Sequence, residues 1–250
     1  MICQNILRHR TCALSIQERT VLEGAITSTR ALPAGQIVVR QDEPVQISIL
    51  LVQGLMTRHV DSIDGRRHLV AVHVPGDFVD LHAYTLKKLD HDVATLTDVN
   101  VAVFTHSGLE RIQAEQPSLV RRLWFCTLLD AAMHRQWIYR HASLNALQRM
   151  AHFLCETNAR LMAIGISDGR SFPLPMTQAD LGEVCGLTNV HVNRILRQLR
   201  EMGLCAVRAG EVEIYDLPGL VTAGVFQPDY LYLDSRVAAR AIGADWSSHE

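Results

Sequence analysis

No two cysteines form a Cys-x-x-Cys pair: the six, Cys3, Cys12, Cys126, Cys155, Cys185 and Cys205, are scattered, and several fall on apolar helical faces. They read as buried thiols. The twelve histidines form no compact His-x-x-x-His site with acids on one helix, so no ready-made metal centre is indicated. The longest apolar runs, such as Ile47 to Leu51, are far below the length that spans a bilayer, and the N-terminus MICQNILRHR lacks a signal-peptide core. A cytoplasmic protein without a membrane partner is expected. Charge of one sign is lacking too: a net charge of −2 leaves no global basic field, so any contact with nucleic acid must come from a local patch. Enzymatic parts are absent as well, with no nucleophile beside an oriented base and no glycine loop to cradle phosphate. What remains is 250 residues, 48% apolar and 20% charged, enough for two modest domains of an ordinary folded protein.

Along the chain, Ser15 to Thr27 reads as a short helix with a capping box from Ser15 to Glu18. From Thr29 to Thr105 turn signals recur, at Pro33-Ala34-Gly35, Gln53-Gly54, Asp64-Gly65 and Pro75-Gly76-Asp77, with β-branched stretches between them; short strands so punctuated make a sandwich or barrel. Helical periodicity then takes over. Leu119, Val120, Leu123, Trp124, Leu128, Ala131 and Ile138 place an apolar stripe on one long helix from Pro117 to about Tyr139. That stripe needs a partner surface, either a second copy of the helix or the strand domain. A further helix covers Leu144 to Ile164, and Gly165 to Pro175 is a loop or strand.

Chemistry concentrates in Met176 to Leu204. Thr177 caps a helix three residues before Asp180; Ala179, Leu181, Val184 and Cys185 give that helix an apolar side, and Gly186 stands where it must end. Leu187 packs inward. Thr188 caps a second helix, running to about Glu201, with Val192, Ile195, Leu196 and Leu199 on one face. Asn189, His191, Asn193, Arg194, Arg197 and Arg200 lie on the other. An amide-and-arginine face opposite a buried one suits the major groove of DNA, where Asn and Arg bond base edges in pairs. The blander reading is an amphipathic hairpin with solvated arginines. Leu204 to Val207 and Val212 to Tyr215, around an Ala209-Gly210 turn, alternate as a hairpin, the wing, whose Arg208 could touch a phosphate, and Leu217 to about Leu233 adds a short helix. Residues 237–250 read as a disordered tail.

This stretch resembles the helix-turn-helix of the Crp/Fnr family of transcription regulators, and the resemblance covers nearly the whole chain. It implies an α+β fold with an antiparallel β-roll of the cyclic-nucleotide-binding type over residues 1–116, a long dimerisation helix over 117–141 and a winged helix-turn-helix over 142–236. It implies a homodimer joined through Leu119, Leu123, Leu128 and Ala131, binding palindromic double-stranded DNA, with RNA polymerase as a further partner and no cofactor. Family base contacts come from the second, third and seventh residues of the recognition helix, commonly Arg, Glu and Arg. Here these are Asn189, Val190 and Arg194. Arg194 is the expected guanine reader; Val190 cannot accept a hydrogen bond from cytosine and would touch a thymine methyl instead. His191 and Asn193 are candidates for base or phosphate, Arg197 shares their face, and Thr177, Gln178 and Thr188 are candidates for backbone phosphates.

Members that hold an iron-sulfur cluster use a tight N-terminal cysteine group, and Cys3 and Cys12 have no close third partner. Members that bind cyclic AMP present a Glu to the ribose and an Arg to the phosphate. Here Leu81, beside Asp80, stands for the Glu and Asp92 for the Arg, and an aspartate would repel a phosphate. Control by cyclic AMP is therefore not expected. Asp80, Leu81, His82, His91 and Asp92, with Lys87 and Asp90 nearby, remain around the would-be pocket for another small ligand, a metal or none.

Overall fold

Helix α1 (Ile16–Gly24) begins at the expected capping box, the Ser15 hydroxyl accepting from the Glu18 amide and the Glu18 carboxylate accepting from the Ser15 amide. It stops short of Thr27, whose amide is drawn to the Val103 carbonyl at the start of the first strand pair. In this computed structural model, which describes residues 1–244, the chain divides into two units: Met1–Arg8 with Cys12–Ala131, and His9–Thr11 with the residues from Ala132 onward.

In the first unit seven strands surround one short helix: β1 (Ser28–Leu32), β2 (Ile37–Val39), β3 (Ile47–Gln53), β4 (Met56–Asp61), β5 (Arg67–His73), α2 (Ala83–Leu86), β6 (Asp92–Thr95) and β7 (Val99–Thr105). They pair antiparallel throughout, in the orders β1-β7-β3 and β2-β6-β4-β5. Ile49, Leu51, Met56, Val93, Val99 and Val101, drawn from both sheets, pack into one core with Val79 and Ala83 from the segment around α2. Burial of these β-branched and aliphatic side chains is the main drive to close the sheets on each other. After β7 come α3 (His106–Glu115), capped by Thr105, and α4 (Pro117–Ser143), whose first turn carries the proline that needs no amide partner there.

Helix α4 runs one turn past the expected Tyr139 and enters the second unit. There it is followed by α5 (Ala146–Ile164), β8 (Ser171–Pro173), α6 (Gln178–Cys185), α7 (Asn189–Glu201), β9 (Cys205–Arg208), β10 (Glu211–Ile214), α8 (Leu217–Ala223), a 3-10 turn at Pro228–Leu231 and α9 (Ser235–Ala241). The loop-or-strand segment before α6 is thus partly strand: β8 pairs with β10, which pairs with β9, a three-stranded sheet. The disordered tail expected over 237–250 is corrected in its first part. Asp234 caps α9 and Val237 and Ala241 are buried, so residues to Ala241 have a helix's hydrogen bonds and a packed face to hold them. The remaining tail from residue 245 lies outside the described residues. His9–Thr11 joins this unit by main-chain bonds, Thr11 donating to the Tyr232 carbonyl and Asp234 to that of His9, and a 2.8 Å His9–Asp234 contact. No helix among the described residues is long and apolar enough to cross a membrane.

The turn from β3 to β4 depends on Gly54, which has φ +87° and no room for a side chain: a Cβ would fall on the Asp98 carbonyl and 2.7 Å from Thr97 Oγ1. Gly54→Ala should lower the stability of the full chain by about 2–5 kcal/mol, strain and overpacking together, read from its denaturant midpoint.

Candidate functional site

Two caps and one glycine set the angle of the helix pair. Thr177 accepts from the Asp180 amide while the Asp180 carboxylate takes the Thr177 amide at 2.9 Å and its hydroxyl at 2.6 Å. The hydroxyl is thereby already committed to the helix it opens. Gly186 ends α6 in the left-handed region, φ +61°, and a Cβ there would stand 3.3 Å from His141 Nδ1 of α4. Thr188 caps α7, and Val192, Ile195 and Leu199 bury one face of it. Three inward assignments change: Ala179 is exposed, because the turn it occupies is covered only on the side of Leu181 and Val184, and Leu187 and Leu196 are half-buried.

The polar face of α7 is free. Asn189, Val190, His191, Asn193, Arg194, Arg197 and Arg200 are all exposed, and Val190 is 79% so. Val190, Asn193, Arg194, Leu196, Arg197 and Arg200, with Gln178 of α6 and Ala206, Val207 and Arg208 of β9, line a groove of about 590 Å³. The wing's contribution, Arg208 apart, is not legible in sequence, since Ala206 and Val207 carry no polar signal. Arg194, Arg197 and Arg200 have no ion pair among the described residues, so the groove presents guanidinium groups that none of those residues neutralises. Thr188 lies at the rim, its hydroxyl 3.3 Å from His191 Nδ1.

The expected sensor residues separate into three places. His82 and His91 come together, ring centroids 5.4 Å apart, with Asp90 2.8 Å from His91 Nδ1. Asp92 is turned away from them: it accepts from the Gln41 amide and stands 3.5 Å from His59. Asp80 is fully buried and accepts from the Ile49 amide at 2.6 Å. Lys87 lies over the Tyr84 ring. Leu81 and His82 line a cavity of about 440 Å³ with Tyr84, Leu109, Leu123 and Trp124, without a charged side chain in its wall.

The group that sequence reasoning missed is Arg58 of β4, 2% exposed, which donates to the Val79 carbonyl at 2.8 Å and to Asp130 of α4 at 2.6 Å. A lone Arg in a β-rich stretch gives no signal of such burial. Burial and the charge of Arg58 push His73 down to about 4 and His82 to about 3, keeping both neutral. Burial raises Asp80 to about 7 against the opposing pull of the Ile49 amide and Arg58.

On α4 the expected dimer positions divide. Leu119 is wholly buried within the single chain and is corrected as an outward residue, while Leu123 is half-buried and lines the cavity. Leu128 is exposed at 53%, with Trp124 at 65% and Ile138 at 69%, and Ala131 is half-buried.

Two family models match the chain: a Crp-like helix-turn-helix domain over residues 148–223 and a cyclic nucleotide-binding domain over residues 29–116. Similar curated proteins include the anaerobic regulatory protein of Haemophilus influenzae, 24% identical over 88% of this chain and 86% of that protein. Another is the transcriptional activator protein FnrL of Cereibacter sphaeroides, 28% identical over 80% of this chain and 82% of its own length. Among solved structures, FixK2 from Bradyrhizobium japonicum superposes with a TM-score of 0.72 at 24% identity, over 78% of this chain and 96% of that one.

Asp80 makes stability depend on pH with a defined sign. Its folded value is raised, so the neutral acid is the form the fold prefers; that contribution is complete below about pH 4 and is lost as pH rises through about 7. Asp80→Asn, which cannot ionise, should gain on the native chain between pH 4 and pH 8, by on the order of a few kcal/mol. Denaturant midpoints at stepped pH will measure it; a constant difference between the two proteins would contradict the assignment.

Proposed function

This chain belongs to the Crp/Fnr family of DNA-binding transcription regulators, and on that premise we propose that it acts in the cytoplasm as a homodimer that reads a palindromic site without control by cyclic AMP. Residues 1–116 form the sensor, 117–141 join the two copies and 142–236 hold the reading head. RNA polymerase is the partner through which binding changes transcription, and the chain is a regulator rather than an enzyme.

The observation that carries the DNA reading is the groove between α7 and β9, lined by Arg194, Arg197, Arg200 and Arg208, which have no neutralising partner among the described residues. In a chain of net charge −2 this is the local patch that phosphate binding requires. Arg194 sits one turn from the exposed Val190, so a guanine contact and a thymine-methyl contact fall on neighbouring base steps. Gln178 reaches the same groove from α6, and Thr188, His191, Asn193 and Arg197 supply the flanking contacts. Thr177 acts through the cap it forms.

Two features support a dimer through α4. Trp124, Leu128 and Ile138 are large apolar side chains left in water, and their spacing with Ala131, four, three and seven residues, repeats the seam of a coiled coil. Against cyclic AMP stands the state of the charges. Arg58 is taken by Asp130 and Val79, and the histidines near it are neutral, so a cyclic phosphate would meet no uncommitted cation there.

The decisive measurement is a mobility shift at fixed salt on a selected palindromic fragment. Arg194→Ala should lose about 1–3 kcal/mol per half-site on the specific fragment and little on unrelated DNA, and added cyclic AMP should leave the native affinity unchanged. Equal affinity of native and variant chains for the selected site would remove the assignment. Leu128→Glu, which would bury a carboxylate in the seam, should weaken the dimer by about 3 kcal/mol, roughly a hundredfold, in sedimentation equilibrium.

A further inference from the structure

Arg140, near the end of α4, is 0% exposed. Its guanidinium lies over the Trp137 ring at 4.4 Å and near the Phe153 ring at 5.6 Å. Its Nη2 donates to the Val184 carbonyl at 3.3 Å. Val184 is in the last turn of α6, the first helix of the reading head, where carbonyls point out with partial negative charge and a cation is favoured. His141, the next residue of α4, also bonds the Val184 carbonyl and packs where a side chain on Gly186 would stand. Nε and Nη1 of Arg140 have no partner.

Beneath it lies Glu156 of α5, 1% exposed, accepting from Trp137 Nε1 at 3.1 Å and from the Tyr230 hydroxyl at 2.7 Å, with Arg160 at 3.9 Å. Burial alone would raise this carboxyl, but the charges of Arg140 and Arg160 and the Tyr230 bond outweigh it and hold the group ionised. Glu156 therefore answers the two buried cations Arg140 and Arg160, while the one directed bond of Arg140 goes to α6. A buried cation with one directed bond and two aromatic faces around it has few alternative geometries, which is how such groups can specify one arrangement.

We infer that Arg140 is a positioning residue that fixes the attitude of the helix-turn-helix against the end of α4, and through it the separation of half-sites the dimer accepts. No base or phosphate is within its reach, since it is wholly buried. The inference rests on the DNA-reading function given above. If α4 carries the two-fold axis, the angle between α4 and α6 sets how far apart the two copies of α7 lie, and a dimer accepts only half-sites matching that distance.

The test uses the full-length chain and palindromes whose half-sites are moved apart in single base-pair steps. Arg140→Lys keeps charge and stem but loses the planar stack and the directed bond to Val184. Arg140→Met removes the cation and its directed bond while leaving Glu156 with Arg160 and an apolar stem against Trp137. Both variants should unfold cooperatively near the native midpoint. Each should bind the native spacing about tenfold more weakly and accept neighbouring spacings more nearly equally, with the salt slope on unrelated DNA unchanged. Native spacing preference in either folded variant would overturn the inference. Failure of both to fold would do so as well, by making Arg140 a residue of stability alone. Absence of any preferred site or spacing in the native chain would instead count against the DNA-reading function, and that control is run first.

Discussion

A guanidinium taken out of water must be met by charge, by aromatic faces or by carbonyl dipoles, at a cost of several kcal/mol where it is not. Each unit of this regulator has such a group, and much of its local order follows. In the first, Arg58 is held by Asp130 and the Val79 carbonyl, and its field keeps neighbouring histidines neutral. In the second, Arg140 stacks on Trp137 and Phe153 and joins α4 to the last turn of α6. An apolar core would tolerate small shifts between helices; a buried cation with one good carbonyl in reach does not.

The reading face is built on the opposite principle. Arg194, Arg197 and Arg200 stand in water beside the groove, and no acid among the described residues pairs with them. Exposed and unpaired, they lose little by meeting phosphate or guanine, whereas a paired arginine would first have to leave its partner. Net charge hides this because acids elsewhere cancel it. In the first unit the buried Arg58 is already paired with Asp130, and the cavity beside α2 is walled by neutral and apolar side chains.

Much of this was legible in sequence, and for local reasons. Ser15 with Glu18, Thr177 with Asp180, and Gly186 act within a few residues of themselves, so the caps and the turn of the helix pair stand where they were expected. The α7 amphipathicity, the wing hairpin and the strand-then-helix order are likewise short-range patterns. Local reading erred where a face had to be chosen. Leu119 looks like its neighbours in the stripe yet packs within its own unit, and the tail lacks long apolar runs yet buries Val237 and Ala241.

Sequence by itself determined the family of the fold and the capped, amphipathic α7 with Arg194 on its exposed face, because caps, glycine turns and a 3.6-residue period are written in adjacent residues. Only the tertiary structure decided that Asp92 faces Gln41 and His59, that Arg58 meets Asp130 across 72 positions, and that Arg140 meets Val184 across 44. Those pairs are set by how strands and helices cross, and the burial that gives them their electrostatic weight exists only after the chain has folded.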